Sequence, residues 1–287
     1  VPPTSAPVRQ AACLALRGAS GDASLDALVA ASTDDDADVR YQALVSLHFR
    51  GASDQTLRTV VDARLADDDD EVRIVAAQIV ADRGWTDYLD DIESMWTEAS
   101  GESRRQMAFA LADLVAHDRT TLSASARSAL VDQLIDALSD EQTVSAAAKA
   151  LARLDAEQAR DELRGVVKKW FGHPLHKVEA AAALVELGDE VGERYLAKSL
   201  ESHRKDARGY AMRLVGKLGL ADYFDVLEQT ARSDDYHADT AVLALGDVGG
   251  ERASNILNDI CADHPDDEVR QLARETLDKL DTTQDTP

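Results

Sequence analysis

Apolar residues recur along this chain at helical spacing, and the recurrence itself repeats. The stretches "VRQAACLAL" from Val8, "VRYQALVSL" from Val39, "VRIVAAQIV" from Val72 and "VRQLARETL" from Val269 share one frame. Extended along the chain, the frame starts nine times, at Val8, Val39, Val72, Ser103, Thr143, His176, Ala207, His237 and Val269, at intervals of 31, 33, 31, 40, 33, 31, 30 and 32 residues. Its fifth position is Ala12, Ala43, Ala76, Met107, Ala147, Ala180, Ala211, Ala241 and Ala273, and its ninth is Leu or Val every time, from Leu16 to Leu277. At about 100° per residue, positions one, five and nine lie within about 80° of each other. They predict the buried stripe of a helix, with a small fifth residue that lets a neighbouring helix come close. Glycine often follows, as Gly18, Gly51, Gly84, Gly188, Gly219 and Gly249, where a helix needs a left-handed stop.

Between these helices lie further apolar sets of helical period, such as "TLRTVVDARLA" (56–66), "YLDDIESMW" (88–96) and "ASNILNDIC" (253–261). Each repeat is therefore expected to be a helical hairpin. Neither helix can bury its apolar stripe alone, so successive hairpins must stack. The expected fold is all-α, a right-handed α-α superhelix of about eight hairpins after a lone first helix, forming one domain over residues 1–287. Residues 1–7 and 281–287 are expected to be flexible tails. An irregular connection is expected at "AHDRTTLSAS" (116–125), where the interval lengthens to 40 residues.

The recurring signature, Asp-Asp-x-x-Val-Arg-x-x-Ala-x-x-x-Leu with a trailing glycine, resembles HEAT repeats, in particular the short bacterial and archaeal variety also found in bilin lyases. Aspartates such as those of "DDDDEVR" (67–73) stand where they can accept hydrogen bonds from the free amides of the second helix and favour its positive end. The second frame position is basic in seven of nine repeats, as Arg9, Arg40, Arg73, Arg104, Lys177, Arg208 and Arg270, with breaks at Val144 and Ala238. The resemblance implies a structural ladder in which each cation pairs with a turn carboxylate of its own or the adjacent repeat. It also implies that the second helix of each hairpin lines a concave face. Frame positions three, seven and ten point roughly opposite the buried stripe. They offer Leu14, Tyr41, Val45, His48, Ile74, Gln78, Arg105 and Phe109 in the first four repeats, and the smaller or more polar Gly209, Arg213, Gly216, Gln271, Glu275 and Asp278 in repeats seven and nine. The former set is the candidate partner-binding row.

Composition narrows the chemistry. The net charge is −23, with 38 Asp against 16 Glu and 8 Lys against 23 Arg. Such a surface repels nucleic acid and anionic membranes, and its skew resembles that of proteins from salt-loving organisms. Stability is therefore expected to rise with salt. No apolar run approaches the roughly 18 residues needed to cross a bilayer, and a cytoplasmic location is expected. Cys13 and Cys261, far apart and outside any CxxC pair, suggest neither a disulfide framework nor a zinc site. No Asp-x-Asp-x-Asp-Gly calcium loop, Gly-x-Ser-x-Gly, phosphate loop or His-Glu-x-x-His occurs. The iron-dependent deoxyhypusine hydroxylases share the repeat style but need His-Glu dipeptides, and no histidine here is followed by glutamate. HEAT-like DNA glycosylases need a basic groove, and nothing marks a tetrapyrrole site of the bilin-lyase kind. In "KKWFGHPLHK" (168–177), His173 and His176 could share a helix face toward a metal, but no third ligand is near in sequence. With Pro174 as an N-terminal helix signal, the segment reads as the start of a helix whose lysines find carboxylates of a neighbouring repeat.

Neither metal nor cofactor is expected, and the function expected is non-catalytic binding of a protein or peptide. The competing reading makes the chain a regulatory or substrate-holding segment of a larger enzyme, for example after a metallopeptidase core. It rests on an opening half-hairpin, "VRQAACLALRG", preceded only by "VPPTSAP" and without an initiator Met.

Overall fold

The computed structural model describes residues 5–117, 122–233 and 235–284. Seventeen α-helices account for most of them, and no strand occurs among the described residues. The frame-bearing helices are α1 (Ala6–Leu16), α3 (Ala37–Phe49), α5 (Asp70–Asp82), α7 (Gly101–His117), α9 (Val144–Arg153), α11 (Pro174–Glu186), α13 (Lys205–Lys217), α15 (Ala238–Val248) and α17 (Asp267–Gln284). They alternate with α2 (Asp22–Ala31), α4 (Asp54–Arg64), α6 (Leu89–Glu98), α8 (Ala124–Ala137), α10 (Arg160–Lys168), α12 (Glu190–Leu200), α14 (Phe224–Ala231) and α16 (Gly250–Asp263). The element order is thus a lone helix followed by eight helix pairs.

The chain divides into two compact units, residues 1–134 and 135–287. In the first, α3, α5 and α7 each pack on the preceding frame-bearing helix and on their own hairpin partner. In the second, α11, α13, α15 and α17 do the same. Each unit is therefore two-layered, and the expected stripe is what lies between helices. Ala43, Ala76, Ala147, Ala180, Ala211, Ala241 and Ala273 are fully buried, and so are Leu47, Val80, Leu111, Leu151, Leu184, Val215 and Leu245 at the ninth position. Val8, in the first described helix, stays half exposed.

Two local devices end and start the helices. The twelfth residue after the frame start closes the second helix in the left-handed region, as Gly51, Gly84, Gly188, Gly219 and Gly249 do at φ of 72°, 63°, 71°, 62° and 68°. In the fifth repeat the same slot holds Asp155 at φ 54°, the one non-glycine with positive φ among the described residues. At the other end, the turn aspartates divide the work. Asp36 accepts from the Val39 amide, and Asp69 accepts from those of Glu71 and Val72, capping α3 and α5.

Residues 6 and 7 belong to α1 and residues 281–284 to α17, whereas 1–4 and 285–287 lie outside the described residues. Of the irregular connection, 118–121 also lie outside them. Part of the extra length goes into α7, which runs for 17 residues against 13 in α3 and α5.

Candidate functional site

The ladder begins with the turn aspartates. Arg9 donates from Nε and Nη2 to the two Asp34 oxygens at 2.7 and 2.6 Å. Arg40 repeats the geometry one hairpin on, gripping Asp67 at 2.9 and 2.6 Å and reaching Asp68 at 2.7 Å. Arg40 is 6% exposed and Asp67 7%. In the other unit Arg208 donates to Asp235 at 2.8 Å and to the Thr230 hydroxyl at 3.2 Å. The Arg9 hydrogen bond holds the Asp34 carboxyl below the ordinary carboxylate range. Burial works the other way at Asp67, but the hydrogen bonds from Arg40 and the Asp69 amide and the Arg40 charge outweigh it, so this carboxyl is also lowered.

The other rungs differ among themselves, two of them pairing within their own repeat and two meeting no carboxylate. Arg73 and Arg270 bond carboxylates of their own turns, Asp70 and Asp267. Arg104 meets no carboxylate: it donates to Gln133 Oε1 at 3.1 Å and lies over the Trp96 ring, whose Nε1 shares the same oxygen. The Lys177 ammonium reaches only the Lys169 carbonyl. What recurs instead is a backbone acceptor. Arg40 bonds the carbonyls of Asp34 and Asp35, Arg73 that of Asp67, Arg104 that of Thr97, Arg208 that of Leu200 and Arg270 that of His264. All stand at or just beyond the end of the preceding helix, where carbonyls lack intrahelical partners and the dipole is negative. A cation at position two therefore serves first to close the helix before it.

The turn slot of the acceptor also varies. Asp34 and Asp67 stand five residues before their frame starts. In the repeat after Ala238 that slot holds His264, buried, with its Nδ1 accepting from the Asp266 amide and its Nε2 3.3 Å from the Ser233 carbonyl. In the repeat after Val144 it holds Phe171, which is exposed. The slot also lacks a carboxylate where the preceding cation is kept, as Leu138 after Arg104, Ser202 after Lys177 and Arg232 after Arg208.

On the expected row of the first unit, Leu14 and Tyr41 are exposed, as is Gln78, and Val45, His48, Ile74, Arg105 and Phe109 are half-buried. Tyr41 and Ile74 stand at frame position three of α3 and α5 and Phe109 at position seven of α7, three helices that pack in succession. Two of the row's polar members are tied down: His48 Nε2 lies 3.1 Å from Asp82, and Arg105 lies 3.2 Å from Glu102.

Family comparison agrees with this repeat geometry. A model described as HEAT repeats matches residues 3–81 and 193–278, more than half of the chain. The chain belongs to the HEAT-repeat family. No curated protein matches the sequence. Among solved structures it is similar to the complex of CpcE and CpcF of phycocyanin lyase from Nostoc sp. PCC7120, with 19% identity, 92% of this chain and 96% of that chain covered, and a TM-score of 0.57. It is also similar to human deoxyhypusine hydroxylase, with 19% identity, 98% and 93% covered, and a TM-score of 0.37. Likeness at this identity is a likeness of fold.

In the second unit the HEAT frame uses the expected contact positions differently. Gly209 and Gly216 are buried, which corrects their placement on an open face. A Cβ on Gly209 would fall 2.8 Å from the His237 ring, and one on Gly216 2.8 Å from the Ala244 backbone. Positions three and ten thus become helix-to-helix contacts when the residue is small. The neighbouring fourth position carries a polar cluster that the apolar frame did not disclose. Glu179 is buried on α11, accepts from the Tyr210 hydroxyl of α13, and lies 3.5 Å from Lys149 Nζ of α9. Burial, reinforced by the bond to Glu179, raises the Tyr210 phenol. The available signal was that Glu179 is the only carboxylate at the fourth frame position.

The HEAT hairpin that opens with Pro174 does start a helix there, but its lysines do not find carboxylates. Lys168, Lys169 and Lys198 are exposed and make no ion pair. The His173 and His176 rings lie 5.1 Å apart, and no group of three candidate metal ligands occurs among the described residues. Cys13 is buried and Cys261 half-buried, both as free thiols. No helix among the described residues is long and apolar enough to cross a membrane.

Proposed function

We propose that this HEAT-repeat chain is a non-catalytic scaffold that binds a protein or peptide partner along the second helices of its amino-terminal unit, on the face that is concave in arrays of this kind. One observation carries the reading: on three successively packed helices Tyr41 is exposed and Ile74 and Phe109 are only half-buried, while the stripe residues Ala43, Ala76 and Leu111 of the same helices are fully buried. Aromatic and aliphatic anchors of this kind dominate interface energetics, at about 2 kcal/mol or more each when central. The acidic composition fits a cytoplasm of high ionic strength, where carboxylate repulsion is screened. What the phycocyanin lyase complex and the hydroxylase do is no guide at the level of fold alone, and no side-chain cluster here favours a larger enzyme over a scaffold.

The test is capture from extract of the native organism at native salt. Tyr41→Glu and Phe109→Glu should each abolish recovery of the partner while helicity and melting temperature stay nearly constant, since exposed side chains contribute little to folding. Unfolding of either variant would make these rings core residues, and undiminished capture would place the partner elsewhere.

A further inference from the structure

The loop joining α10 to α11 carries two large apolar side chains in water. Trp170 is 89% exposed and Phe171 84%, more than any other large hydrophobic side chain described. Together with the carboxy-terminal end of α12 and the start of α13 they border an open cleft of about 710 Å³, lined also by Tyr195, Lys198, His203 and Arg204. Phe171 borders a second, smaller cleft of about 230 Å³ beside Val144, the residue at which the ladder breaks. The turn slot that holds Asp34 and Asp67 under arginines in the second and third repeats here carries a projecting phenyl ring.

The charge around this loop runs against that of the chain. Five of its eight lysines, Lys168, Lys169, Lys177, Lys198 and Lys205, fall between residues 168 and 205, with Arg204 and three histidines among them. Elsewhere most arginines are ion-paired, yet Lys168, Lys169, Lys198 and Arg204 have no carboxylate partner, and Lys205 lies 4.2 Å from the Tyr236 ring. Helix dipoles favour Lys168 and Lys198, which stand in the last turns of α10 and α12. That accounts for neither the exposed rings nor Arg204, which sits at the start of α13, where a cation is disfavoured.

We propose that the Trp170–Phe171 loop and the facing end of the α12–α13 hairpin form a docking site for a short acidic peptide carrying an aromatic or aliphatic anchor. Unpaired cations in an acidic chain supply the charge complementarity, and the rings beside the cleft supply the apolar contact. A peptide of about eight residues spans at most roughly 28 Å. It need touch only the basic patch, because at physiological salt fields beyond about 8 Å are screened. One carboxylate, Glu201, lines the cleft among these cations, and a nucleic acid or an anionic bilayer would extend past the patch onto more, such as the exposed Asp206. The site is separate from the Tyr41 row and stands whether or not that row binds a partner.

Trp170 is also its own reporter, since Trp85 and Trp96 are 5% and 1% exposed. The full chain is titrated with an octapeptide of Asp and Glu around a central Phe-Leu pair, following tryptophan emission. The counterparts are the same peptide with Lys for each acidic residue, an eight-nucleotide oligothymidylate, and phosphatidylserine vesicles. Expected is a blue shift with the acidic peptide at concentrations at least tenfold below those the counterparts require. Labelled peptide should bind W170A and the Lys168→Glu/Lys198→Glu double variant at least tenfold more weakly, and Tyr41→Glu within twofold of the parent. Equal response to the Lys peptide, or a stronger response to oligonucleotide or vesicles, overturns the assignment. Undiminished binding by W170A or by the double variant overturns it as well.

Discussion

The amino-terminal unit and the carboxy-terminal unit are built on one repeat and close it in different ways. In residues 1–134 the cation is always arginine, the turn aspartates Asp34, Asp36, Asp67 and Asp69 are bonded or cap a helix, and the open row of the second helices carries Leu14, Tyr41, Val45, Ile74 and Phe109 beside three polar residues. All eight lysines lie in residues 135–287, where Lys149 and Tyr210 meet a buried Glu179 between second helices and the turn slot of Asp34 and Asp67 holds His264 and Phe171. The difference teaches that the buried stripe, not the ladder, defines the repeat. Stripe positions are held in both units, while turns vary as long as each carbonyl end and each buried carboxylate finds a partner.

The strongest way to break that view is to remove one rung from each unit. Arg40→Ala takes from the buried Asp67 its bidentate partner but leaves it Arg64 at 2.9 Å and the Asp69 amide, so the loss should fall below the ~3–5 kcal/mol of a fully orphaned buried charge and still exceed the loss at Arg208. Arg208→Ala breaks a pair whose side chains are 25% and 27% exposed, and should cost about 1 kcal/mol. Denaturant unfolding followed by circular dichroism compares the two, and equal losses would make the ladder as important in the second unit as in the first. The Arg40 contribution also has a sign in pH. Because the Asp67 carboxyl is lowered from its ordinary 3.8 in the folded state, the pair stabilises fully above that value and is lost as pH falls through the folded pKa. The gap between parent and Arg40→Ala should therefore be constant near neutrality and shrink only in acid below about pH 4.

How far all this could be read beforehand depends on where the acceptor lies. The frame disclosed the stripe, the hairpins and the left-handed stops because these are side-chain periodicities and glycines. It could not disclose that Arg40, Arg73, Arg104, Arg208 and Arg270 share backbone carbonyl acceptors, because a carbonyl leaves no trace in residue identity. Tyr41 and Phe109 were legible as residues opposite the stripe, whereas Gly209 and Gly216 were misplaced there, since a missing side chain invites the next helix into the same face. The lysines of 168–205 were visible as a cluster, but only the folded chain places them beside exposed rings without ion pairs.

A smaller effect, spread over both units, comes from salt. Exposed aspartates such as Asp68, Asp70, Asp222 and Asp239 crowd the folded surface more than the unfolded chain, and screening relieves repulsion between exposed charges while leaving buried pairs nearly untouched. Melting temperature should rise by several degrees, roughly 1–2 kcal/mol, as KCl goes from tens of millimolar to molar. A flat or falling midpoint would return the charge to partner binding. Hydrogen exchange refines the comparison: α3 and α5, held by the buried Arg40–Asp67 pair, should respond less than α11 and α13.

The smallest change concerns the stop that the two units otherwise share. Every other left-handed stop at this slot is glycine, and Asp155 alone holds it, at φ 54°, with a side chain. A left-handed conformation costs an L-residue about 1–2 kcal/mol, less for aspartate because its short side chain can bond locally. Glycine removes that strain but gains entropy in the unfolded chain, which returns part of the difference. Asp155→Gly should therefore stabilise by about 0.5 kcal/mol, and Asp155→Val, β-branched in the same conformation, should destabilise by more than 1 kcal/mol. The pair of variants separates backbone strain from side-chain bonding. If Asp155→Gly destabilises instead, the aspartate holds the turn through its own hydrogen bonds, and the second unit has replaced a glycine stop by a polar one just as it has replaced its ladder aspartates.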